Sequence, residues 1–290
     1  MNIPNVLDDL EINQTFKFKM LRERVISAVI LAIAITSLVL FLSDTLFIFF
    51  AAVISTASLW EFLKARVSLV LTSISTIIFC ALIFLSQFSF FNLLFIFLGV
   101  LVIAVSSLFI LSFPLNKTLL KNQFIWMTLG IIIHLAFFSS ILHITENGNQ
   151  ALGVNLTNDR FIVLLVALVS ILMDTIAYFA GKKFGKRPFI NNVSPNKTME
   201  GFLSAIVATP LILTLISVNF LNTGLLATII LFFVVSLFSV IGDAVASMMK
   251  RVIEIKDFSD LIPGHGGIYD RLDSHIASFP CFVLLLNFFG

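Results

Sequence analysis

Residues 247–273 read SMMKRVIEIKDFSDLIPGHGGIYDRLD, and the rest of the chain is organised around this stretch. It carries Lys250, Arg251, Lys256 and Arg271, four aspartates, one histidine and three glycines, with Asp243 just upstream. The surrounding chain of 290 residues is 59% hydrophobic and only 12% charged, so polar chemistry is concentrated here. A mean hydropathy of +1.09 and 33 Phe exclude an ordinary soluble domain. The flanking apolar runs are about 18–25 residues long, which fits spanning helices better than the alternating strands of a transmembrane barrel. The fold class expected is an all-α polytopic membrane protein. Cys80 and Cys281 both lie inside apolar runs, which argues against a disulfide framework or a thiolate metal site.

Working outward, nine candidate spans emerge at about 25–43, 45–63, 67–86, 89–112, 124–143, 161–181, 201–219, 224–248 and 274–290. Residues 1–24 are polar, with Asp8, Asp9 and Glu11 followed by Lys17, Lys19, Arg22 and Arg24. They read as a cytoplasmic tail rather than a cleavable signal. Basic residues accumulate in cytoplasmic loops. With the N-terminus inside, 17 of the 18 Lys and Arg fall on the inner side and Arg160 alone falls outside. The topology expected is nine helices, N-terminus cytoplasmic and C-terminus outside. The N-terminal helices then cover about 25–160, and a catalytic region of about four helices covers 161–290. Two inner connections, about 182–200 and 249–273, are long and charged, which places the chemistry on the cytoplasmic side.

Asp174 sits inside the sixth span, where an ionisable group normally faces a wet cavity or a bundle interior. Helical spacing puts Asp174, Tyr178 and Gly181 on one face. Lys182, Lys183, Lys186 and Arg187 are explained as a solvated positive-inside loop. Ser194, Pro195, Asn196 and Lys197 precede the next span, where a phosphate could use Lys197 and free amides at a helix start. On the eighth span Asp243, Ala246, Ser247 and Lys250 share a face at the inner boundary. Asp243 and Lys250 are two turns apart, too far for a favoured helical ion pair, so a ligand is preferred. Gly264, Gly266 and Gly267 let backbone amides approach a substrate, with His265 between them, and Asp270 and Asp273 lie a helical turn apart. Joined to Asp243 across the same helix-loop-helix unit, this segment offers two carboxylates for a hard cation and several cations for phosphates. His134 and His143 read as structural or interfacial.

The run Ser247-x-x-Lys250-Arg251, Lys256-Asp257, Pro263-Gly264-His265-Gly266-Gly267 and Asp270-Arg271-x-Asp273 resembles the signature of the phosphatidate cytidylyltransferases, or CDP-diacylglycerol synthases. The resemblance extends to Asp174-x-x-Ala177-Tyr178-x-x-Gly181-Lys182-x-Phe184-Gly185-Lys186 and Ser194-Pro195-x-Lys197-Thr198-x-Glu200-Gly201. It covers about the last 120 residues, while the first five spans match in hydropathy and order alone. Asn196 departs from a frequently basic position. The resemblance implies that CTP and phosphatidate give CDP-diacylglycerol and pyrophosphate, with Mg2+ as cofactor. It implies that Asp243 and Asp270 hold the metal, with Lys250 and Arg271 completing the catalytic set. Lys197, Lys250, Arg251 and Arg271 are then phosphate contacts, and His265, Gly266 and Gly267 shape the nucleotide site. Asp174, Ser194, Ser247, Lys256, Asp257 and Asp273 complete the substrate-binding set.

The partners expected are CTP, phosphatidate and membrane lipid, with no nucleic acid, and a homodimer is compatible with this reading. The location expected is a bacterial inner membrane. A CTP-dependent polyprenol kinase or another lipid cytidylyltransferase is the nearest alternative and is separated by its product. A transporter would account for the intramembrane carboxylates but would leave the glycine-rich charged loop without a purpose.

Overall fold

The computed structural model describes residues 33–152, 160–217, 221, 223–262 and 266–289. The expected tail at 1–24 and the start of the first span lie outside these residues, as do Pro263, Gly264 and His265. Helix α1 covers 33–41, followed by α2 (Asp44–Lys64), α3 (Leu69–Leu85), α4 (Ser89–Leu111), short α5 (Lys117–Leu120) and α6 (Gln123–Leu152). Then come α7 (Arg160–Phe184), strands β1 (Pro188–Ile190) and β2 (Ser194–Thr198), α8 (Met199–Ser217), α9 (Leu225–Val252) and α10 (Tyr269–Phe289).

Every apolar run holds a helix, because a chain in lipid must satisfy its backbone N–H and C=O groups within each segment. Among the described residues, seven helices are long and apolar enough to cross a membrane, and α3 is shorter at 17 residues. The chain is an all-α polytopic integral membrane protein. The outer surface is correspondingly apolar: Phe41, Leu111, Leu115 and Phe288 are each more than 80% exposed.

Helix association in lipid relies on small residues and interhelical hydrogen bonds. Gly242 of α9 lies so close to α10 that a Cβ there would sit 2.6 Å from the Ala277 Cβ and from the Asp273 carbonyl oxygen. Gly201 of α8 meets α7 in the same way, 2.5 Å from the Ala177 carbonyl oxygen. Polar ties add to this packing: His134 on α6 bonds Ser58 on α2 at 3.0 Å, and Ser239 on α9 bonds Ser170 on α7 at 3.0 Å. His134 also bonds the Gly130 carbonyl at 2.8 Å, so it is a structural histidine.

An aromatic cluster joins the early helices to the charged end. Phe62 stacks on Trp126 at 4.8 Å and tilts against Tyr269 at 4.9 Å, while Tyr269 meets Phe258 edge-on at 4.7 Å. The polar connections gather at this end of the bundle: Lys117 pairs with Glu254 at 2.7 Å, and Asn192 donates to the Phe113 carbonyl at 3.1 Å. At the other end Arg160, at the start of α7, pairs with Asp44 at the start of α2, 3.3 Å away.

One connection and three helix boundaries differ from the expectation. The connection expected at 182–200 holds an antiparallel hairpin, β1 with β2. Helix α9 continues to Val252 and α10 begins at Tyr269, so the connection expected at 249–273 shrinks to 253–268. Helix α6 runs on to Leu152, past the expected end at 143. Pro280 does not interrupt α10, consistent with the tolerance of proline in packed membrane helices.

Candidate active site

Three pieces of chain build the charged end. The first is α7, whose Asp174, Ala177, Tyr178 and Gly181 line one wall of a cavity of about 420 Å³. The expected helical face is therefore formed, and it opens on this cavity.

The second piece is the hairpin, which folds back because its base is tied several times. Met199 N–H donates to the Arg187 carbonyl at 2.9 Å, and Glu200 accepts from the amides of Lys186 and Arg187 at 3.0 and 3.2 Å. Phe189 stacks on Phe202 at 4.4 Å. The return strand then carries Ser194, Asn196 and Lys197 into the opposite wall of the cavity. At the start of α8 one amide expected to be free is already used, since Gly201 N–H donates to Thr198 Oγ1 at 3.2 Å. Lys197 itself is the anion-facing group of this segment. It forms an ion pair with Asp243. Burial holds its pKa below the usual lysine range, against the opposing pull of Asp174 and Asp273.

The third piece is the end of α9, the turn after it and the start of α10. Helix α9 stops at a left-handed residue, Glu254 (φ 62°), with Ile255 N–H reaching back to the Lys250 carbonyl at 3.1 Å. The Lys117 ammonium, by its hydrogen bond and its charge, holds the Glu254 carboxyl below its ordinary range. Further on, Ile262 N–H donates to the Gly266 carbonyl at 2.8 Å, and Gly266 takes φ 79°, a conformation that favours glycine. The chain then enters α10 with Asp270 in the first turn.

Asp270 is the most enclosed charge of the site, its side chain only 2% exposed. One oxygen takes the Lys250 ammonium at 2.8 Å, and the other accepts from Phe258 N–H at 2.8 Å and Gly267 N–H at 3.0 Å. The Lys250 ammonium also lies 5.8 Å from the centre of the Phe258 ring. Both carboxylates expected at the metal are thus engaged by lysines, Asp243 by Lys197 and Asp270 by Lys250. Asp273 accepts from Ser274 N–H at 2.8 Å and lies within electrostatic reach of Lys250, Asp174 and Lys197. Arg271 is within reach of Asp174.

One charged cluster therefore unites Asp174, Lys197, Asp243, Lys250, Asp270, Arg271 and Asp273. Ser194 joins it on the cavity wall, and Ser247 is half-buried on the α9 face between Asp243 and Lys250. Arg251 is turned to the hairpin, donating from Nε to the Val193 carbonyl at 3.3 Å. Lys256 and Asp257 are exposed on the turn, and Gly266 and Gly267 lead into α10. His265 lies outside the described residues.

Among the described residues no three His, Cys, Asp or Glu side chains converge to enclose a metal by themselves. The donor set does fit a magnesium ion that arrives with phosphate oxygens, since such an ion needs only one or two carboxylates from the protein. Asp243 offers one: Lys197 holds a single oxygen, and the side chain is 20% exposed.

One participant had little signal in the sequence. Glu61, near the end of α2, accepts from Tyr269 N–H at 2.7 Å and from the Ser259 hydroxyl. A lone carboxylate beside Trp60 at the end of an apolar run reads as an interfacial residue, and its only other hint was its place on the same inner side as the charged loops.

Residues 22–289 match the sequence model of the cytidylyltransferase family. The phosphatidate cytidylyltransferase of Haemophilus influenzae is 34% identical over 187 residues, covering 60% of this chain and 62% of that one. That of Bacillus subtilis is 39% identical over 118 residues, 40% of this chain and 44% of that protein. That of Staphylococcus saprophyticus is 34% identical over 187 residues, 62% of this chain and 68% of its own. The similar region thus spans less than two thirds of the first two relatives.

Proposed function

The chain belongs to the cytidylyltransferase family, and we propose that it transfers CMP from CTP to phosphatidate, giving CDP-diacylglycerol and pyrophosphate. The observation that carries this reading is a pair of lysines each held by an aspartate, Lys197 by Asp243 and Lys250 by Asp270, with Lys197 on the wall of a cavity it shares with Asp174 and Ser194. An ammonium balanced by a carboxylate can exchange that partner for a phosphate oxygen, and the carboxylate is then released to a cation.

In the reaction a phosphate oxygen of phosphatidate attacks the α-phosphorus of CTP. A new P–O–P link forms, the bond from the α- to the β-phosphate breaks, and pyrophosphate leaves with the electron pair. The nucleophile is already anionic near neutral pH, so no side chain has to remove a proton. The obstacle is repulsion between two anionic substrates, and positioned positive charge is the main aid in such transfers. Lys197 and Lys250 receive phosphate oxygens, assisted by Arg271 and Arg251. Asp243 would hold Mg2+, joined by the Asp270 oxygen that Lys250 gives up when it turns to phosphate, and the ion when bound supplies further neutralisation of phosphate charge. Asp174, Ser194, Ser247 and Asp273 complete the polar wall, and Lys256, Asp257, His265, Gly266 and Gly267 belong to the nucleotide side.

The cavity between α7, α8 and the hairpin suits a lipid headgroup whose acyl chains stay in the leaflet. CTP would enter from the cytoplasm, with the protein in a bacterial inner membrane and the charged end facing inward. CTP, phosphatidate and surrounding lipid are the partners in this reading, which needs no nucleic acid and is compatible with a homodimer.

The test uses purified protein in detergent with labelled CTP, phosphatidate and Mg2+. The expected products are a lipid carrying CMP and free pyrophosphate. A phosphorylated alcohol with CDP would assign a lipid kinase instead. Asp243→Asn and Asp270→Asn are each expected to abolish incorporation, and full activity in both would remove these residues from the metal role.

A further inference from the structure

Among the described residues, Glu61 is the carboxylate of helices α1–α6 that reaches the glycine-rich turn. Its neighbour Phe62 sets the height of α2, lying 4.8 Å from Trp126 and 4.9 Å from Tyr269. At that height one carboxylate oxygen accepts from Tyr269 N–H at 2.7 Å, and the other accepts from the Ser259 hydroxyl. Tyr269 opens α10, so its amide is one of the donors a helix start leaves unsatisfied, and a carboxylate there also meets the favourable end of the helix dipole.

The two adjacent glycines have different reasons to be glycine. Gly266 has φ 79°, which only its missing side chain makes easy. Gly267 has no such backbone demand. A Cβ on it would instead lie 2.4 Å from both carboxylate oxygens of Glu61. Glu61 therefore occupies the space directly over Gly267, whose amide is one of two backbone donors to Asp270.

We infer that Glu61 is a positioning residue: by holding the first amide of α10 and filling the space over Gly267, it fixes the turn that presents Asp270. The role rests on the proposed cytidylyl transfer, but the contact itself does not. It also gives the N-terminal helices a part in the site beyond spanning the membrane.

The experiment uses the full chain in detergent, with Glu61→Ala, Glu61→Gln, Gly267→Ala and the Glu61→Ala/Gly267→Ala pair. Hydrogen exchange is read at the amides of 267–270, and CMP incorporation is measured in parallel. Glu61→Ala should speed exchange there and lower kcat/KM by about 10-fold to 100-fold, mostly in kcat. Glu61→Gln should restore both readouts to within about 5-fold, because its amide can accept from Tyr269 and donate to Ser259. Gly267→Ala should reproduce the Glu61→Ala phenotype by displacing the carboxylate, and the double variant should be no worse than the more damaged single variant. Unchanged exchange in Glu61→Ala, or multiplying defects in the double variant, would overturn the inference. Exchange needs no substrate, so a wild-type protein that transfers no CMP would overturn the functional reading while the exchange data still decide the role of Glu61.

Discussion

At the scale of single residues, the site is a set of exchangeable partners whose burial differs. Removing Lys197 or Lys250 takes away a positioned positive charge, and Lys197→Met and Lys250→Met are each expected to lower CMP transfer by about 100-fold or more. Stability should separate the two. Lys250→Met strands Asp270, whose side chain is 2% exposed, and breaking a buried pair in this way costs about 3–5 kcal/mol. Asp243 is 20% exposed, so water can replace its lysine and Lys197→Met should be the milder change. Thermal midpoints in detergent check the order. Lys197 should also shape the pH profile: with its pKa depressed by burial, it loses its proton at lower pH than an ordinary lysine. Activity should therefore fall on an alkaline limb below the ordinary lysine range. Lys197→Arg, which stays protonated, should move that limb upward, and an unmoved limb would exclude Lys197 as its source. The identities of these residues were legible in the sequence, but their pairing was not. Asp243 shares a helix face with Lys250, yet it pairs with Lys197, 46 residues away, because the hairpin folds back over α9.

At the scale of elements, close approach of helices decides whether those partners meet. Gly242 sits one residue before Asp243 and touches α10 at the Asp273 carbonyl and at Ala277, so the close approach of the helices falls beside the residues that carry the site's carboxylates. Gly242→Val should force α9 from α10 and destabilise the protein by about 1–3 kcal/mol, the usual range for overpacking. It should also reduce CMP transfer at a temperature where the variant remains folded, which activity measured beside the thermal midpoint would show. An active Gly242→Val protein with an unchanged midpoint would mean that the α9–α10 spacing is not set here. The helices themselves were legible because lipid demands long apolar runs, and each such run holds one. The hairpin was hidden: SPNKT has neither alternating apolar residues nor β-branched enrichment, and its fold comes from ties to Glu200, Phe202 and Phe113 rather than from strand propensity. Helix ends in the charged connections were hidden for a related reason, since hydropathy loses contrast where α9 and α10 leave the apolar zone and become charged.

At the scale of the whole molecule, charge is divided between the two ends of the bundle. The end of α2, the α4–α6 connection, the hairpin and the α9–α10 turn meet through Ser259–Glu61, Lys117–Glu254, Asn192–Phe113 and Arg251–Val193 contacts. Arg160 lies at the opposite end with Asp44, close to where the positive-inside rule would leave a single basic residue outside. The same division ties orientation to chemistry: CTP is made and held in the cytoplasm, so the end bearing Lys197, Lys250 and Asp270 must face inward for the proposed reaction to run. Single cysteines can test this in a background carrying Cys80→Ser and Cys281→Ala. Lys256→Cys, on the exposed turn after α9, should resist a membrane-impermeant thiol reagent in intact spheroplasts and react once the membrane is opened. Gln87→Cys, exposed between α3 and α4 at the other end, should react without permeabilisation. Labelling of both positions from the same side would break the alternation of helices on which the topology depends. Labelling of each from the opposite side would turn the lysine–aspartate cluster away from its nucleotide and overturn the proposed function with it.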